Sequence, residues 1–200
     1  HAAYEQYKAN RKEVDVELIN QFPMMHEVLQ VLNIPTFGVN GFEADDVIGT
    51  LSEKLSHENK ELEVAIFTSD RDIFQLVHDK VFVLWPERDG SGDLKVIGQT
   101  EVVEKLHVFP SQVVDYKALC GDASDNIPGI KGVGQKTAVK LLNEYLTLEN
   151  LFKAVEEIDS GSAEPSGLLK GALLKKLQEG KEAALLSQKL AKIDQDVPLN

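Results

Sequence analysis

The chain has 200 residues, enough for one domain or for one domain with a smaller helical lobe. Its formal net charge is −12, which argues against a general nucleic-acid binder unless bound cations offset the negative charge. Hydrophobic residues at 42% are ordinary for a soluble globular protein, and the apolar runs are too short to span a bilayer, so we expect no membrane association. One cysteine excludes an internal disulfide and favours a reducing, intracellular compartment, and the five scattered histidines form no zinc-binding pattern.

The first third of the chain predicts helices and one short extended segment. Residues 15–32 carry apolar side chains at helical spacing, and Pro23 within them predicts two helices, or one helix that begins near the proline. The stretch 34–39 is a plausible extended segment. A further helix is expected to follow, with its apolar positions between residues 47 and 55.

The next segments predict a parallel sheet. Residues 64–67 form a continuous apolar run that suits a strand buried on both faces, a helix-like stretch follows at 71–77, and a second β-rich run occupies residues 81–85. Strand, helix and strand at this spacing imply a parallel α/β sheet. The turn-rich stretch 87–95 predicts a surface turn or hairpin.

From Thr100 onward every predicted element is a helix. We expect helices at about 100–106, 111–119, 136–145, 148–157, 168–178 and 180–192. The composition of residues 159–167 predicts a flexible loop. The chain therefore divides into an α/β half, residues 1–110, and an all-helical half, residues 111–200.

Seven carboxylates fall in three tight groups, each at the end of a predicted element. The groups are Glu43, Asp45 and Asp46; Asp70 and Asp72; and Asp122 and Asp125. Taken singly, each group is also explained by helix capping or turn formation. If the groups converge, they repel one another unless cations are bound, and hard ions such as Mg²⁺ or Mn²⁺ prefer oxygen ligands of this kind. Two such ions about 4 Å apart can promote phosphodiester hydrolysis.

A glycine-rich turn, "GIKGVGQKTA", precedes the helix predicted at 136–145. Gly132 and Gly134 permit a tight turn, and the flanking Lys131 and Lys136 supply positive charge, which suits a bound phosphate. The sequence does not match the Walker A pattern. Helix, turn and helix instead predict a helix–hairpin–helix element, which grips a DNA backbone without reading its sequence. The alternative is a plain glycine turn between packed helices.

The segment "YEQYKANR" places Tyr7, Lys8 and Arg11 close together near the start of the chain. On a helix, Lys8 and Arg11 would share one face. Such cations can clamp a phosphate, and a tyrosine can stack on a base. A solvated terminus is the alternative interpretation.

Four motifs, "YKANR", "GFEADDVIGTL", "FTSDRDIFQLV" and "YKALCGDASDNIPGIKGVGQKTAVKLL", resemble in order and spacing the 5′-nuclease (flap endonuclease) family. The likeness is greatest to the 5′→3′ exonuclease domain of bacterial-type DNA polymerase I, and it runs from about Tyr7 to Val197. The resemblance implies a PIN-like (Rossmann-like) α/β nuclease core with a parallel sheet. It also implies an all-helical lobe with a helix–three-turn–helix DNA-binding element.

The resemblance also implies a role for each candidate residue. Glu43, Asp45 and Asp46 would serve a first metal ion, and Asp70, Asp72, Asp122 and Asp125 a second one. Lys8 and Arg11 would steer the scissile phosphate, and Tyr7 would stack near the 5′ end. The turn within Gly129–Thr137 would hold the duplex, with room for K⁺ at its carbonyl oxygens, through Lys131, Gly132, Val133, Gly134, Gln135, Lys136 and Thr137.

The family's chain carries two strands with aspartates upstream of its "YKANR" motif, so we expect this chain, which starts at His1, to be an N-terminally truncated core without them. The expected function is metal-dependent 5′→3′ exonuclease and structure-specific 5′-flap endonuclease activity on DNA in replication and repair. We expect a monomer with a fused or associated DNA polymerase. The alternatives are a catalytically impaired DNA-binding module of the same family, a PIN-type ribonuclease, and a structural helical protein whose acids only cap helices.

Overall fold

Two short helices open the part of the chain that the computed structural model describes, which comprises residues 4–11, 13–58, 61–87 and 89–199. Helix α1 spans Val16–Ile19 and α2 spans Phe22–Val31. Pro23 lies in the first turn of α2, where no backbone N–H is needed, so the prediction of two helices is confirmed. No residue of either helix is buried, and all of their apolar side chains except that of the half-buried Leu29 are exposed.

A three-stranded sheet follows helix α3, which spans Ala44–Glu58. The strands are β1 (Val64–Phe67), β2 (Val81–Pro86) and β3 (Leu94–Ile97), in the order β1-β2-β3. Strand β1 pairs parallel with β2, and β2 pairs antiparallel with β3. The predicted parallel pair and the hairpin are thus confirmed, although the connection between β1 and β2 is a 3-10 turn, Arg71–Leu76, and not an α-helix.

Strand β1 differs from its prediction as a strand buried on both faces. Ile66 is buried, but Phe67 is 66% exposed, because only the face of β1 that carries Ile66 packs on the described residues. The predicted extended segment at 34–39 belongs to no strand among the described residues.

The second half of the chain is helical, as predicted. Its helices are α4 (Gln99–Leu106), α5 (Val113–Cys120), α6 (Gln135–Tyr145), α7 (Leu148–Asp159) and α8 (Gly171–Ala191), and a 3-10 turn at Pro110–Gln112 precedes α5. The two helices predicted near the end form one helix, α8. At Gly180, α8 approaches Ile130 closely, since the Cγ2 of Ile130 would lie 2.5 Å from a Cβ at that glycine. In the described part of the chain, no helix combines the length and hydrophobicity needed to cross a membrane.

Helix α5 is the central helix of this half, because it packs against α6, α7, α8 and both 3-10 turns. Most of its residues are buried, including two charged ones, Asp115 and Lys117. Buried charges require partners. Asp115 accepts hydrogen bonds from the backbone N–H of Leu148 at 2.8 Å and from Nε2 of Gln188 at 2.6 Å, and thereby ties α5 to α7 and α8.

The loop that follows α5 doubles back on itself, and we call Gly121–Ile130 the acid loop. Asp122 and Ile127 exchange two backbone hydrogen bonds at 2.9 and 2.8 Å, and the N–H of Ile130 bonds to the carbonyl of Leu119 at 2.9 Å. Gly129 has a φ of +62°, and a Cβ there would lie 2.2 Å from the backbone nitrogen of Gly121. The acid loop therefore depends on two backbone segments that touch where only glycine fits.

Replacing Gly129 by Ala should lower the free energy of unfolding by about 3 kcal/mol, because the left-handed φ and the clash with the Gly121 backbone both oppose a methyl group. Gly38→Ala is the matched control, since Gly38 has no positive φ and no neighbour within 4 Å of an added Cβ. The control should change stability by less than about 0.5 kcal/mol. Urea unfolding measures both, and equal effects would refute this account of the loop.

Candidate functional site

Carboxylates from three segments meet on one side of the chain. One small cavity is lined, together with Lys8, by Glu43, Asp45, Asp46, Asp72 and Asp125. Asp70, Asp72 and Asp122 line a second, larger cleft of about 900 Å³. Because Asp72 lines both, the structure brings the three predicted acidic groups together.

The two acids that follow β1 are placed by the sheet and by a local cap. They lie beyond the carboxyl end of a strand that pairs in parallel with its neighbour, where ligand sites form in open α/β sheets. Asp70 accepts a hydrogen bond from the backbone N–H of Asp72 at 2.9 Å and so caps the 3-10 turn. The turn then presents the side chain of Asp72 to both cavities.

Asp46 has a structural role in this conformation. One of its oxygens accepts from the backbone N–H of Glu43 at 3.0 Å, and the other accepts from the N–H of Asp194 at 2.9 Å. It therefore fastens the start of α3 to the segment after α8. Its role as a metal ligand stays a prediction.

Basic side chains compensate most of these carboxylates. Nζ of Lys8 lies 2.6 Å from both oxygens of Glu43 and 3.7 Å from Oδ2 of Asp125. Nη2 of Arg11 donates to Oδ1 of Asp125 at 2.6 Å. These two residues, predicted to contact a phosphate, bind protein carboxylates in this structure.

Lys117 forms a third compensating contact, and the sequence analysis did not identify it. Its Nζ donates to Oδ2 of Asp122 at 2.6 Å and also to Oδ1 of Asp72. Burial would raise the pKa of Asp122, but the hydrogen bonds from Lys117 and Ser124 outweigh burial and lower that pKa to about 2. Asp122 is therefore ionised at neutral pH.

Asp45 differs from these acids, since it forms no ion pair within the described residues. Burial raises its pKa to about 6, and the nearby charges of Asp70 and Asp72 add to the shift. Burial also raises the pKa of Asp72, although Lys117 opposes that effect. Negative charge is thus under-compensated around Asp45.

The donor chemistry fits hard divalent cations, because the side chains are carboxylates and the charge around Asp45 is under-compensated. Within residues 4–11, 13–58, 61–87 and 89–199, no three acidic, histidine or cysteine side chains are already arranged to hold one ion. Two ammonium groups lie between carboxylates instead: that of Lys8 between Glu43 and Asp125, and that of Lys117 between Asp72 and Asp122. A metal ion would have to displace these contacts or share them.

Residues 4–11 pack on the acid loop. The backbone N–H of Lys8 donates to the carbonyl of Asp125 at 3.0 Å, and Nδ2 of Asn126 donates to the carbonyl of Gln6 at 2.7 Å. Lys8 has a φ of +57° in a series of turns, so the helix on which Lys8 and Arg11 would share a face does not form. Tyr7 lines the small cavity, and Nζ of Lys8 lies 4.9 Å from the centre of its ring.

The glycine-rich turn leads into α6 as predicted. Its exposed positions are Lys131, Gly132, Gly134, Gln135 and Lys136. Thr137 is half-buried, and the side chain of Val133 lies in the core. Val133 can therefore face a ligand only through its backbone. Gln135 also lines the larger cleft, which connects the turn with Asp70, Asp72 and Asp122.

Models of two domains of one protein family match the chain from end to end. The 5′-3′ exonuclease N-terminal resolvase-like domain matches residues 1–107, and the 5′-3′ exonuclease C-terminal SAM fold matches residues 108–200. The chain belongs to the 5′-3′ exonuclease family. The family predicted from the four motifs is therefore confirmed.

Curated relatives of this exonuclease-family chain are longer than it is. DNA polymerase I of Bacillus caldotenax is 40% identical over 200 residues, which are 100% of this chain and 21% of that protein. The 5′-3′ exonuclease of Bacillus subtilis (strain 168) is 39% identical over 196 residues, 98% of this chain and 61% of that protein. The chain thus spans less than two thirds of either relative.

Solved structures share the fold of this exonuclease-family chain. T5 5′-exonuclease with bound zinc superposes with a TM-score of 0.72 at 22% identity, over 96% of this chain and 69% of that one. A T5 flap endonuclease in complex with DNA and metal ions gives a TM-score of 0.71 at 21% identity, over 97% and 68%. The predicted class, an α/β nuclease core followed by a helical lobe, is confirmed, and the division at residues 110 and 111 stays a prediction.

Replacing Asp45 by Asn should raise the free energy of unfolding of the metal-free protein at pH 7 by about 1 kcal/mol, after allowance for its partial exposure. The folded-state pKa of Asp45 is about 6, above the ordinary 3.8, so its penalty is absent below about pH 4 and grows as the pH rises to about 6. Denaturation in EDTA should show wild-type stability falling relative to the variant across that window. Parallel pH profiles would contradict this.

Proposed function

We propose that the chain hydrolyses phosphodiester bonds near the 5′ ends of branched or nicked DNA, as a 5′→3′ exonuclease and 5′-flap endonuclease of replication and repair. The observation that carries this proposal is that carboxylates from three segments meet next to a cleft, and that this cleft reaches the exposed glycine-rich turn at Gln135. The names of the relatives support it, since one is called a 5′-3′ exonuclease and another is a flap endonuclease bound to DNA and metal ions.

The proposed cofactors are two divalent ions, Mg²⁺ or Mn²⁺. Bound ions would supply positive charge that favours attack of water on a phosphodiester and stabilises the leaving oxygen. The residues proposed to hold them are Glu43, Asp45 and Asp46 for one ion, and Asp70, Asp72, Asp122 and Asp125 for the other. Among these, Asp45 offers a carboxylate whose charge is under-compensated in the structure.

Lys8 and Arg11 would exchange their carboxylate partners for phosphate oxygens when ions and DNA bind. Lys8 lines the small cavity, and Arg11 binds Asp125. Both would therefore lie near a phosphate bound between the acids. A cation that neutralises a carboxylate in the free protein can thus orient the scissile phosphate in the complex. Tyr7, whose ring lies beside Nζ of Lys8, is the residue proposed to stack on a terminal base.

The turn at Gly132–Lys136 would hold the duplex backbone some distance from the acids. Backbone N–H groups at the start of α6 and the exposed Lys131 and Lys136 suit phosphate oxygens. K⁺ at the carbonyls of this turn is a separate proposal, and one of those carbonyls, that of Gly132, accepts a hydrogen bond from Nζ of Lys176 at 3.0 Å.

The biological setting is also part of the proposal. The relatives include DNA polymerase I proteins, of which this chain matches 21% in the case of Bacillus caldotenax, so a fused or associated polymerase is the proposed partner besides DNA. We further propose that the chain acts as a monomer inside the cell.

A second candidate function is a DNA-binding module of the same family with impaired catalysis. The favouring observation is that Lys8, Arg11 and Lys117 already occupy the carboxylates, so that in the described residues no three of them form a set ready for one ion. Incubation of the 200-residue chain with a 5′-flap substrate and Mn²⁺ separates the two functions. Cleavage supports the nuclease, and tight binding without cleavage supports the module.

Asp70→Asn and Asp125→Asn should each lower the cleavage rate about 100-fold or more, because each removes a charge from the proposed metal sites. DNA binding in Ca²⁺ should change little. Gel-based cleavage of a 5′-flap substrate and a binding titration measure the two quantities. Asp93→Asn, an exposed carboxylate in the β2–β3 turn, is the control. Full cleavage by either site variant would exclude the two-metal assignment.

Lys131→Gln and Lys136→Gln should weaken duplex binding and make it less sensitive to salt. Removing one phosphate contact should reduce the slope of log K against log salt by about 0.9. Fluorescence anisotropy at several salt concentrations measures the slope. Lys153→Gln, an exposed lysine on α7, should leave it unchanged. Unchanged slopes in both turn variants would show that the turn is only a connection between helices.

A further inference from the structure

Lys117 is a buried basic side chain at the site, and its environment is unlike that of a surface lysine. The residue is 7% exposed in the middle of α5, and its Nζ contacts two carboxylates, Asp72 and Asp122. These acids come from separate segments, the 3-10 turn after β1 and the acid loop. One ammonium group therefore joins three elements of the fold at the edge of the larger cleft.

The contrast with Asp115 shows what a purely structural buried charge looks like in this protein. Asp115 lies two residues earlier on the same helix, and its partners are neutral N–H groups of Leu148 and Gln188. Lys117 instead uses two of the acids proposed to hold a single metal ion. Nothing about core packing requires a lysine to bind two acids, since one carboxylate would compensate its charge.

The carboxylates need a cation between them in the absence of a metal ion. Asp122 is ionised and fixed, because its Oδ1 accepts hydrogen bonds from the N–H and the hydroxyl of Ser124 while its Oδ2 accepts from Lys117. The side chain of Asp72 is also partly buried, and it contacts the same ammonium group. Without Lys117 the two like charges would repel each other across a poorly solvated gap.

We propose that Lys117 is a positioning residue that acts as a resident counterion: it holds Asp72 and Asp122 together before a divalent ion binds, and it competes with that ion for their oxygens. The proposal rests on the proposed function only in assuming that a divalent ion binds these acids. Lys117 should therefore raise the stability of the metal-free protein and lower its affinity for the divalent ion.

The test compares Lys117→Met with wild type in EDTA and in Mg²⁺, by thermal unfolding of the 200-residue chain and by calorimetric titration with Mg²⁺ or Mn²⁺. In EDTA the variant should melt at a lower temperature, because the acids repel each other. Added Mg²⁺ should raise its melting temperature more than that of wild type. The dissociation constant for the ion should fall about fivefold or more, since a competing positive charge is gone.

Two further variants separate this role from a structural one. Lys117→Arg keeps the charge and should show a metal response near that of wild type. Asp115→Asn removes a buried charge that does not contact the acids, so it should lower the melting temperature equally in EDTA and Mg²⁺ and leave the dissociation constant unchanged. If Lys117→Met behaves like Asp115→Asn, or binds the ion more weakly, the proposal is overturned.

If Lys117→Met does not fold in EDTA, the variant Lys117→Met with Asp122→Asn decides the matter, because it removes the repulsion along with the lysine. Folding of this double variant in EDTA supports the proposal. Failure of both variants to fold in EDTA and in Mg²⁺ shows that the lysine is needed for folding itself and overturns the proposal. None of these measurements uses DNA, so a chain that fails to cleave DNA leaves them intact.

Discussion

Repulsion between carboxylates in a poorly solvated cleft is the constraint on which the site depends. Acids from three segments can lie together only if cations compensate them, and the chain itself supplies such cations. Lys8 and Arg11 come from the start of the chain, and Lys117 comes from α5. Asp45 forms no ion pair among the described residues, and burial together with the nearby charges of Asp70 and Asp72 raises its pKa. The chain thus holds these acids together through its own basic side chains, and negative charge is left in excess around Asp45.

Helix α5 connects this electrostatic arrangement with the hydrophobic core. Ala118 and Leu119 are fully buried, and the two buried charged residues of the helix have different tasks: Asp115 fastens α7 and α8, whereas Lys117 faces the acids. Any movement of α5 would disturb the packing of the helical half and the spacing of the carboxylates at the same time. The position of the site is therefore fixed by the core and not by a surface loop alone.

Most strands and helices could be predicted from the sequence, because strands, helices and glycine turns leave local patterns. The three acidic groups that the structure brings together could also be recognised, whereas their role as metal ligands stays a prediction. It could not show which acids are compensated, since the partners of Glu43 and Asp125 lie 35 and 114 residues away in the chain. Lys117 gave a weak signal, a lysine within an otherwise buried helix, and burial could not be read from "YKALC" alone. The β1 strand was misjudged because an apolar run does not reveal whether both faces of the strand are covered.

The acid loop has a consequence for where DNA would be cut. The acid loop connects the carboxylates of Asp122 and Asp125 with the start of the glycine-rich turn. Backbone hydrogen bonds between Asp122 and Ile127, and between Ile130 and Leu119, leave this loop little freedom to extend. The close approach of Gly121 and Gly129 shortens it further. In the proposed nuclease, the number of nucleotides between the cleaved bond and the bound phosphate would then be set by the fixed length of this hydrogen-bonded loop, and would stay the same whatever the length of the flap.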